Sequence, residues 1–216
     1  MVVVAWVMNY RRKILAGLVA GTVFLIVIFL APAMVQTVFF GLIGVGVLLE
    51  LSWQAARSAR RLSSWLLVLA LVALIFTSFS GALRLVEDPR GSWYMFAIAC
   101  IVSTTDVVAQ YTGQRYGTPG TFLPSLSPNK TLHGVYGGIV SGMVVACVFA
   151  LFLGGVTWCV LPLLPALAIA GDLLESATKR SLGIKDFASY IPQTGGLLDR
   201  VDSWLPALAL TGWLLV

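Results

Sequence analysis

Long apolar stretches alternate with short polar segments along the whole chain. Seven such stretches occur, at residues 14–31, 33–52, 62–83, 93–109, 134–154, 156–174 and 204–216. A helix needs about 20 residues to cross the hydrocarbon core of a bilayer, and the first six stretches have roughly that length. Membrane β-strands would instead appear as shorter segments of alternating polarity. The pattern therefore predicts an all-α, polytopic integral membrane bundle of about seven transmembrane helices.

The composition supports a membrane protein. Hydrophobic residues make up 59% of the 216 residues, and charged residues make up 11%. A soluble domain carries about 25% charged residues, so this chain has too little polar surface to cover a water-soluble fold. Tryptophans near the ends of the stretches fit the aromatic belt of a membrane protein; they are Trp53, Trp65, Trp93, Trp158 and Trp204.

The basic residues are distributed unevenly between the two sides of the predicted bundle. If the helices alternate from a cytoplasmic N-terminus, twelve of the 14 Lys and Arg residues fall on the cytoplasmic side, and only Arg84 and Arg90 fall on the other. Such a bias marks the cytoplasmic side of membrane proteins. We therefore expect a multi-pass protein of the cell (inner) membrane. Its two long loops, 110–133 and 175–203, then face the cytoplasm, and we divide the chain into N-terminal helices (1–92) and a C-terminal region (93–216) that carries both loops.

Acidic residues collect at these two loops. Of the nine acidic residues, those in or beside the loops are Asp106, Asp172, Glu175, Asp186, Asp199 and Asp202. A carboxylate at the bilayer centre costs about 2.5 kcal/mol or more, so Asp106 and Asp172 need a polar cavity, a cation or a metal. An ion pair that only joins helices is the alternative.

The spacing of the charges favours a metal and phosphate site. Asp172, Glu175 and Lys179 are spaced to share one face of a helix. Carboxylates interleaved with Lys and Arg can hold Mg²⁺ and neutralise phosphate oxygens, although a solvated loop of mixed charge gives the same pattern. The other loop contains the sequence SPNKT at 127–131, which offers donors for phosphate but is not a Walker A loop.

Two polar runs near the C-terminus have residues at fixed spacing, SATKRSLGIKDF at 176–187 and PQTGGLLDRVDS at 192–203. Together they resemble the signature of phosphatidate cytidylyltransferases, the CDP-diacylglycerol synthases. The SPNKT segment is similar to that family's S-P-K-K-T loop, and Asp106 with residues 113–117 is similar to the segment before it. The resemblance covers the chain from about residue 100 onward, whereas the N-terminal helices match only in being apolar.

The resemblance implies that CTP and phosphatidic acid react to give CDP-diacylglycerol and pyrophosphate with Mg²⁺, the number of cations being left open. It implies metal binding and catalysis by Asp172 and Asp199, with Lys179 and Lys185 as catalytic phosphate ligands and Lys130 and Arg180 as further phosphate contacts. We also expect substrate contacts from Ser127, Thr131, Asp106 and Arg200, and orienting roles for Glu175, Asp186 and Asp202.

The same resemblance implies partners and raises alternatives. The expected partners are CTP, phosphatidic acid or a related lipid phosphate, and membrane lipids. A homodimer is also expected, and no nucleic acid.

The chain departs from the family pattern at two places. The family's Gly-His-Gly-Gly is Gln193-Thr194-Gly195-Gly196 here, and His133 replaces the acid that usually follows S-P-K-K-T. A phosphate nucleophile is already largely ionised near pH 7, because its second pKa is about 6, and needs no general base.

Other functions are compatible with parts of the pattern. A CTP-dependent lipid kinase would release CDP rather than pyrophosphate. A substrate-shifted or inactive paralogue would explain Gln193-Thr194. A small transporter is disfavoured, because the acidic residues cluster at one face instead of following a path through the bilayer.

Overall fold

The computed structural model describes residues 17–58, 62–118, 122–123, 126–127, 129–188 and 195–216, and the regular elements in these ranges are helices. In chain order they are α1 Gly17–Leu30, α2 Ala33–Ser58, α3 Leu62–Glu87, α4 Gly91–Tyr116, α5 Leu132–Leu153, α6 Thr157–Val160, α7 Leu164–Leu182, α8 Leu198–Val201 and α9 Trp204–Leu214. A short 3-10 segment, Leu161–Leu163, joins α6 to α7.

The length and composition of these helices confirm an all-α membrane bundle. Five helical spans among the described residues are long and apolar enough to cross a membrane: α2, α3, α4, α5 and the continuous run Thr157–Leu182. The described part of α1 and helix α9 are apolar but shorter. Helices therefore occupy all seven predicted stretches, while the number that cross the bilayer and the orientation of the N-terminus stay predictions.

The two helices that precede the long loops, α4 and α7, continue further than their apolar pattern. Helix α4 runs to Tyr116 and α7 runs to Leu182, so the loops predicted at 110–133 and 175–203 begin several residues later than expected. The apolar pattern stops where polar side chains begin, but backbone hydrogen bonding does not stop there. Gly183 ends α7 in the left-handed conformation, with φ of 70°. Glu175 and Lys179 are therefore helical residues whose positions α7 fixes.

Close packing of α5 against α4 sets the position of the first loop, residues 110–133, which joins these two helices. The buried face of α5 consists of small residues, Gly134, Gly138, Gly142, Ala146 and Ala150. A Cβ atom at Gly138 would lie 2.8 Å from the Thr105 carbonyl oxygen. Small residues let membrane helices approach this closely, because lipid gives little hydrophobic drive to helix association.

Two apolar clusters hold the bundle together. One includes Met95 and Ile98 of α4 with Leu164 of α7, and it continues into α5 and α9. The other joins Leu51 of α2 and Leu71 of α3 to the C-terminal connection, which is the part of the chain between α7 and α9 (residues 183–203). Phe187 and Leu198 are its residues in this cluster. The second cluster therefore packs N-terminal helices directly against the segment that carries the predicted signature.

Candidate active site

A cavity of about 800 Å³ lies where the end of α4, the start of α5, the last turns of α7 and the turn before α9 meet. Eight predicted site residues are among its lining residues, namely Asp106, Lys130, Thr131, Asp172, Glu175, Lys179, Asp199 and Asp202. Uncharged polar residues complete the lining, including Gln110, Gln114, Asn129 and Ser203. The fold thus brings both predicted loops to one polar cavity.

Helix α7 presents one acidic and basic face to this cavity. Asp172, Glu175 and Lys179 all line it, which confirms the helix face predicted from their spacing. Gly171 lets the turn at Asp202 pack against this helix, since a Cβ atom at Gly171 would lie 2.3 Å from the Asp202 carbonyl oxygen. The absence of a side chain at Gly171 therefore allows Asp202 to sit beside Asp172.

Three carboxylates form the most acidic part of the cavity. Asp172, Glu175 and Asp202 each offer one oxygen, and these oxygens lie within 4.8 Å of one another. Burial, followed by the negative charge of Asp172, raises the pKa of Asp202 to about 7. Glu175 is almost fully buried, and its Oε1 accepts no hydrogen bond from the described residues. Carboxylates this close, with a free buried oxygen, fit the hard oxygen ligands of Mg²⁺.

Lys179 links this acidic group to the C-terminal connection. Its Nζ lies 2.7 Å from Glu175 Oε2 and 2.9 Å from Asp199 Oδ1. Burial acts to raise the pKa of Asp199, but contacts with Glu175, the Gly196 N–H and Lys179 outweigh it and hold that pKa below its usual value. Asp199 is thus a salt-bridge partner and lies outside the group of three carboxylates. Its predicted metal-binding role stays a prediction.

Three residues of the SPNKT segment line the cavity, namely Asn129, Lys130 and Thr131. Lys130 Nζ lies 2.6 Å from Asp172 Oδ2, so an ion pair joins the first predicted loop, residues 110–133, to helix α7. Thr131 is buried and caps α5, because its hydroxyl oxygen accepts a hydrogen bond from the Gly134 N–H at 3.0 Å. The cap fixes Lys130 at the helix start, while the predicted contact of Thr131 with substrate stays a prediction.

Some predicted site residues lie elsewhere. The residues that line the cavity in the described part of the chain do not include Ser127, Arg180, Lys185, Asp186 and Arg200. The Arg180 Nε donates to the Leu126 carbonyl oxygen at 3.3 Å, which ties α7 to the other loop. The substrate and phosphate contacts expected of these residues stay predictions. Pro128, Gln193 and Thr194 lie outside the described residues.

Sequence reasoning assigned no role to Glu50, which the structure connects to the site. This residue of α2 is buried, and its carboxylate accepts hydrogen bonds from the N–H groups of Leu197 at 3.2 Å and Leu198 at 2.8 Å. An acid within an apolar stretch was the available signal, because such a group must find a partner. The identity of a partner so distant in sequence could not be inferred from that signal.

Comparison with known proteins gives a consistent result over the whole chain. A sequence model of the cytidylyltransferase family matches residues 2–216. A phosphatidate cytidylyltransferase of Mycobacterium bovis is 37% identical over 152 residues, which are 68% of this chain and 48% of that relative. For a Mycobacterium tuberculosis protein of the same name, the values are 37% identity, 68% and 45%.

A third relative covers more of this chain. The phosphatidate cytidylyltransferase of Brucella abortus is 33% identical over 181 residues, which are 81% of this chain and 63% of the relative. The present chain spans about half the length of the two mycobacterial relatives.

Proposed function

This chain belongs to the cytidylyltransferase family, and from that premise we propose that it condenses CTP with phosphatidic acid to give CDP-diacylglycerol and pyrophosphate. The observation that carries this proposal is the meeting of three carboxylates with Lys130 and Lys179 in one cavity. Such a combination suits a reaction between two polyanions, because their repulsion must be neutralised before they can approach.

Asp172, Glu175 and Asp202 are the residues best placed to hold Mg²⁺, since their oxygens lie within 4.8 Å of one another. When bound, Mg²⁺ neutralises phosphate charge and stabilises the leaving pyrophosphate. From the sequence we expected both Asp172 and Asp199 to bind the metal. We propose this role for Asp172 and not for Asp199. We assign to Asp199 the orientation of Lys179, with which it forms an ion pair.

The lysines bind and orient the phosphates in this proposal. Lys130 and Lys179 approach the acidic group from the SPNKT segment and from α7, so their charges can flank a triphosphate. A phosphate oxygen of the lipid forms a bond to the α-phosphorus of CTP, and the bond from that phosphorus to pyrophosphate breaks. The lipid phosphate is largely ionised near pH 7, because its second pKa is about 6, so positioning does most of the work.

The membrane setting completes the proposal. The cavity lies at the ends of long apolar helices, so the acyl chains can stay among the helices while CTP approaches from water. We place the cavity at the cytoplasmic face of the cell (inner) membrane, because the basic residues gather at that end of the bundle. A homodimer is part of the same proposal on the resemblance alone.

Product analysis tests the reaction class. The full chain is purified in detergent and incubated with Mg²⁺, phosphatidic acid and CTP labelled at its α-phosphorus. We expect the label in a lipid product and unlabelled pyrophosphate in the aqueous phase. Label retained in aqueous CDP, with a newly phosphorylated lipid, would instead establish the lipid kinase.

A substitution at the acidic group tests the site. Asp172→Asn removes a charge where the geometry places the cation, and loss of several kcal/mol of charge stabilisation corresponds to a fall in kcat of about a hundredfold or more. The control is Glu87→Gln, which should keep full activity. Glu87 is exposed and is the last residue of α3, at the end of that helix away from the cavity. Equal activity of both variants would remove Asp172 from the mechanism.

A further inference from the structure

Glu50 is a buried carboxylate whose partners are backbone amides. It lies in α2 and is 4% exposed, and none of the ion pairs between described residues includes it. Its two oxygens accept separate hydrogen bonds, Oε1 from the Leu197 N–H and Oε2 from the Leu198 N–H. A charged acceptor makes strong hydrogen bonds in a buried setting, so this contact fixes the backbone of a segment distant in sequence.

The fixed segment leads directly to the reactive end of the cavity. Asp199 follows Leu198, and its Oδ2 accepts the Gly196 N–H at 2.5 Å while its Oδ1 pairs with Lys179 at 2.9 Å. Lys179 in turn pairs with Glu175, a member of the acidic group. A continuous set of polar contacts therefore runs from α2 to the cavity.

The two adjacent glycines make room for this arrangement. A Cβ atom at Gly196 would lie 1.8 Å from Glu50 Oε1, so any side chain there would displace the carboxylate. Gly195 has φ of 73°, and a Cβ atom on it would lie 2.3 Å from Asp199 Oδ2. The glycine pair thus admits Glu50 on one side and Asp199 on the other.

Helix α2 also contacts the opposite end of the C-terminal connection. Gln54 lies one turn after Glu50, on the same face of α2, and its Nε2 donates to the Phe187 carbonyl oxygen at 2.5 Å. Phe187 is itself buried in the apolar cluster that includes Leu51 and Leu198. Adjacent turns of α2 therefore contact the C-terminal connection at two points: Gln54 bonds Phe187, and Glu50 bonds Leu197 and Leu198.

We propose that Glu50 is a positioning residue, which holds the Leu197 and Leu198 amides so that Asp199 presents Lys179 to the phosphates. This inference rests on the proposed function. It gives the N-terminal helices a part in the reaction, whereas the resemblance assigned them only an apolar character. A residue that acts through Asp199 and Lys179 should affect turnover more than CTP binding, since Lys130 remains in place on the other side.

Glu50→Gln is the informative substitution because it keeps the size of the side chain. An amide has one carbonyl oxygen, so its NH₂ group would face one of the two backbone N–H donors. We expect kcat for CDP-lipid formation to fall about tenfold to a hundredfold, as for other misplacements at a distance from the chemistry, with KM for CTP nearly unchanged. Gln36→Met is the matched control: Gln36 is also a buried polar residue of α2, but it bonds Ile28 and Ala31.

Hydrogen exchange supplies a readout that does not depend on activity. The amides of Leu197 and Leu198 should exchange faster in Glu50→Gln than in the wild type or in Gln36→Met, because the side chain that accepts their hydrogen bonds is weakened as an acceptor. If Glu50→Gln does not fold, Gly196→Ala tests the same contact from its other side and should give the same loss of protection and of kcat.

The outcomes separate this proposal from the proposed function. Unchanged exchange of the Leu197 and Leu198 amides and unchanged kcat in Glu50→Gln would overturn the positioning role. Equal losses in Glu50→Gln and Gln36→Met would also overturn it, because they would show a general effect on α2. If the wild type forms no CDP-lipid, the proposed function fails, and the exchange comparison alone decides whether Glu50 holds the segment.

Discussion

Lys179 is the residue on which most of the charge balance of the cavity depends. Its ammonium group lies between Glu175 and Asp199, and all three side chains are largely buried. Removing one member of a buried ion pair leaves an uncompensated charge, which costs more than the pair itself contributes. The same ammonium group faces the cavity, so it has a structural and a proposed chemical task at once.

We expect Lys179→Met to lower the free energy of unfolding by about 3 kcal/mol or more, because two buried carboxylates lose their cation. Lys185→Met is the matched control: Lys185 is exposed and forms no ion pair with another described residue, so its loss should change that free energy by about 0.5 kcal/mol or less. Unfolding is followed in detergent with EDTA present, so that no divalent cation replaces the ammonium group. Equal stability of both variants would contradict the role given to Lys179.

Sequence spacing was enough to find Lys179 and its partners on α7, but not to separate their tasks. Asp172, Glu175 and Lys179 repeat with helical period, and period alone predicts a shared face. The grouping of Asp202 rather than Asp199 with Asp172 depends on how the C-terminal turn crosses α7 at Gly171. That crossing is a tertiary contact, and no local pattern in the chain encodes it.

The pair formed by α4 and α5 is the element that fixes the distance between Asp106 and Lys130. Helix α5 packs through its row of small residues, and its first turn carries the cap provided by Thr131. Any side chain added to this row must push the helices apart. The cavity lies at the end of the same interface, so its dimensions depend on that spacing.

Replacing Gly138 by alanine tests this interface. The new Cβ would lie 2.8 Å from both the Thr105 carbonyl oxygen and Ala109 Cβ, and overpacking of this kind costs about 1–3 kcal/mol. Gly41→Ala is the control, since a Cβ there meets nothing within 4 Å and alanine favours a helix by up to about 1 kcal/mol. Thermal unfolding should therefore move in opposite directions, and a parallel change would exclude α4–α5 contact as the cause.

The apolar pattern located the helices well and their ends poorly. It marks where side chains face lipid, but α4 and α7 continue as helices into the polar layer, up to Gly117 and Gly183. The glycine at each end was a usable signal for a helix stop. This extension matters for the site, because it places Glu175 and Lys179 on the helix face predicted from their spacing, within the range 175–203 that was expected to be a loop.

At the scale of the whole molecule, polar and apolar contacts cross the predicted division of the chain at residue 92. Glu50 and Leu198 are 148 positions apart in sequence, yet they are joined by a hydrogen bond of 2.8 Å. The apolar cluster around Leu51 and Phe187 crosses the same division. The motifs that carried the resemblance begin near residue 100, although the family model matches residues 2–216, so these contacts could not be inferred from the motifs.

The arrangement of the helix ends gives the molecule two unlike faces. The cavity, Arg57 and Lys185 lie at one end of the long helices, whereas Arg84 and Arg90 lie at the other with Glu87 and Asp88. Most basic residues in the described part of the chain are thus at the cavity end, and the bias in basic residues along the sequence predicts that this end is cytoplasmic. The prediction matters for function, because a CTP-using site must face the compartment that contains CTP.

Labelling of single cysteines decides this orientation. After Cys100, Cys147 and Cys159 are replaced by alanine, Lys185→Cys and Arg90→Cys each provide one exposed thiol at opposite ends of the helices. A membrane-impermeant maleimide should label position 185 only in inverted vesicles and position 90 only in intact cells, while both are labelled in detergent. The reverse pattern would place the cavity outside the cell, where CTP is not supplied. Labelling of both positions from one side would mean that the chain crosses the membrane an even number of times between the start of α4 and the end of α7. That result would contradict the predicted arrangement, in which α4, α5 and α7 each cross once.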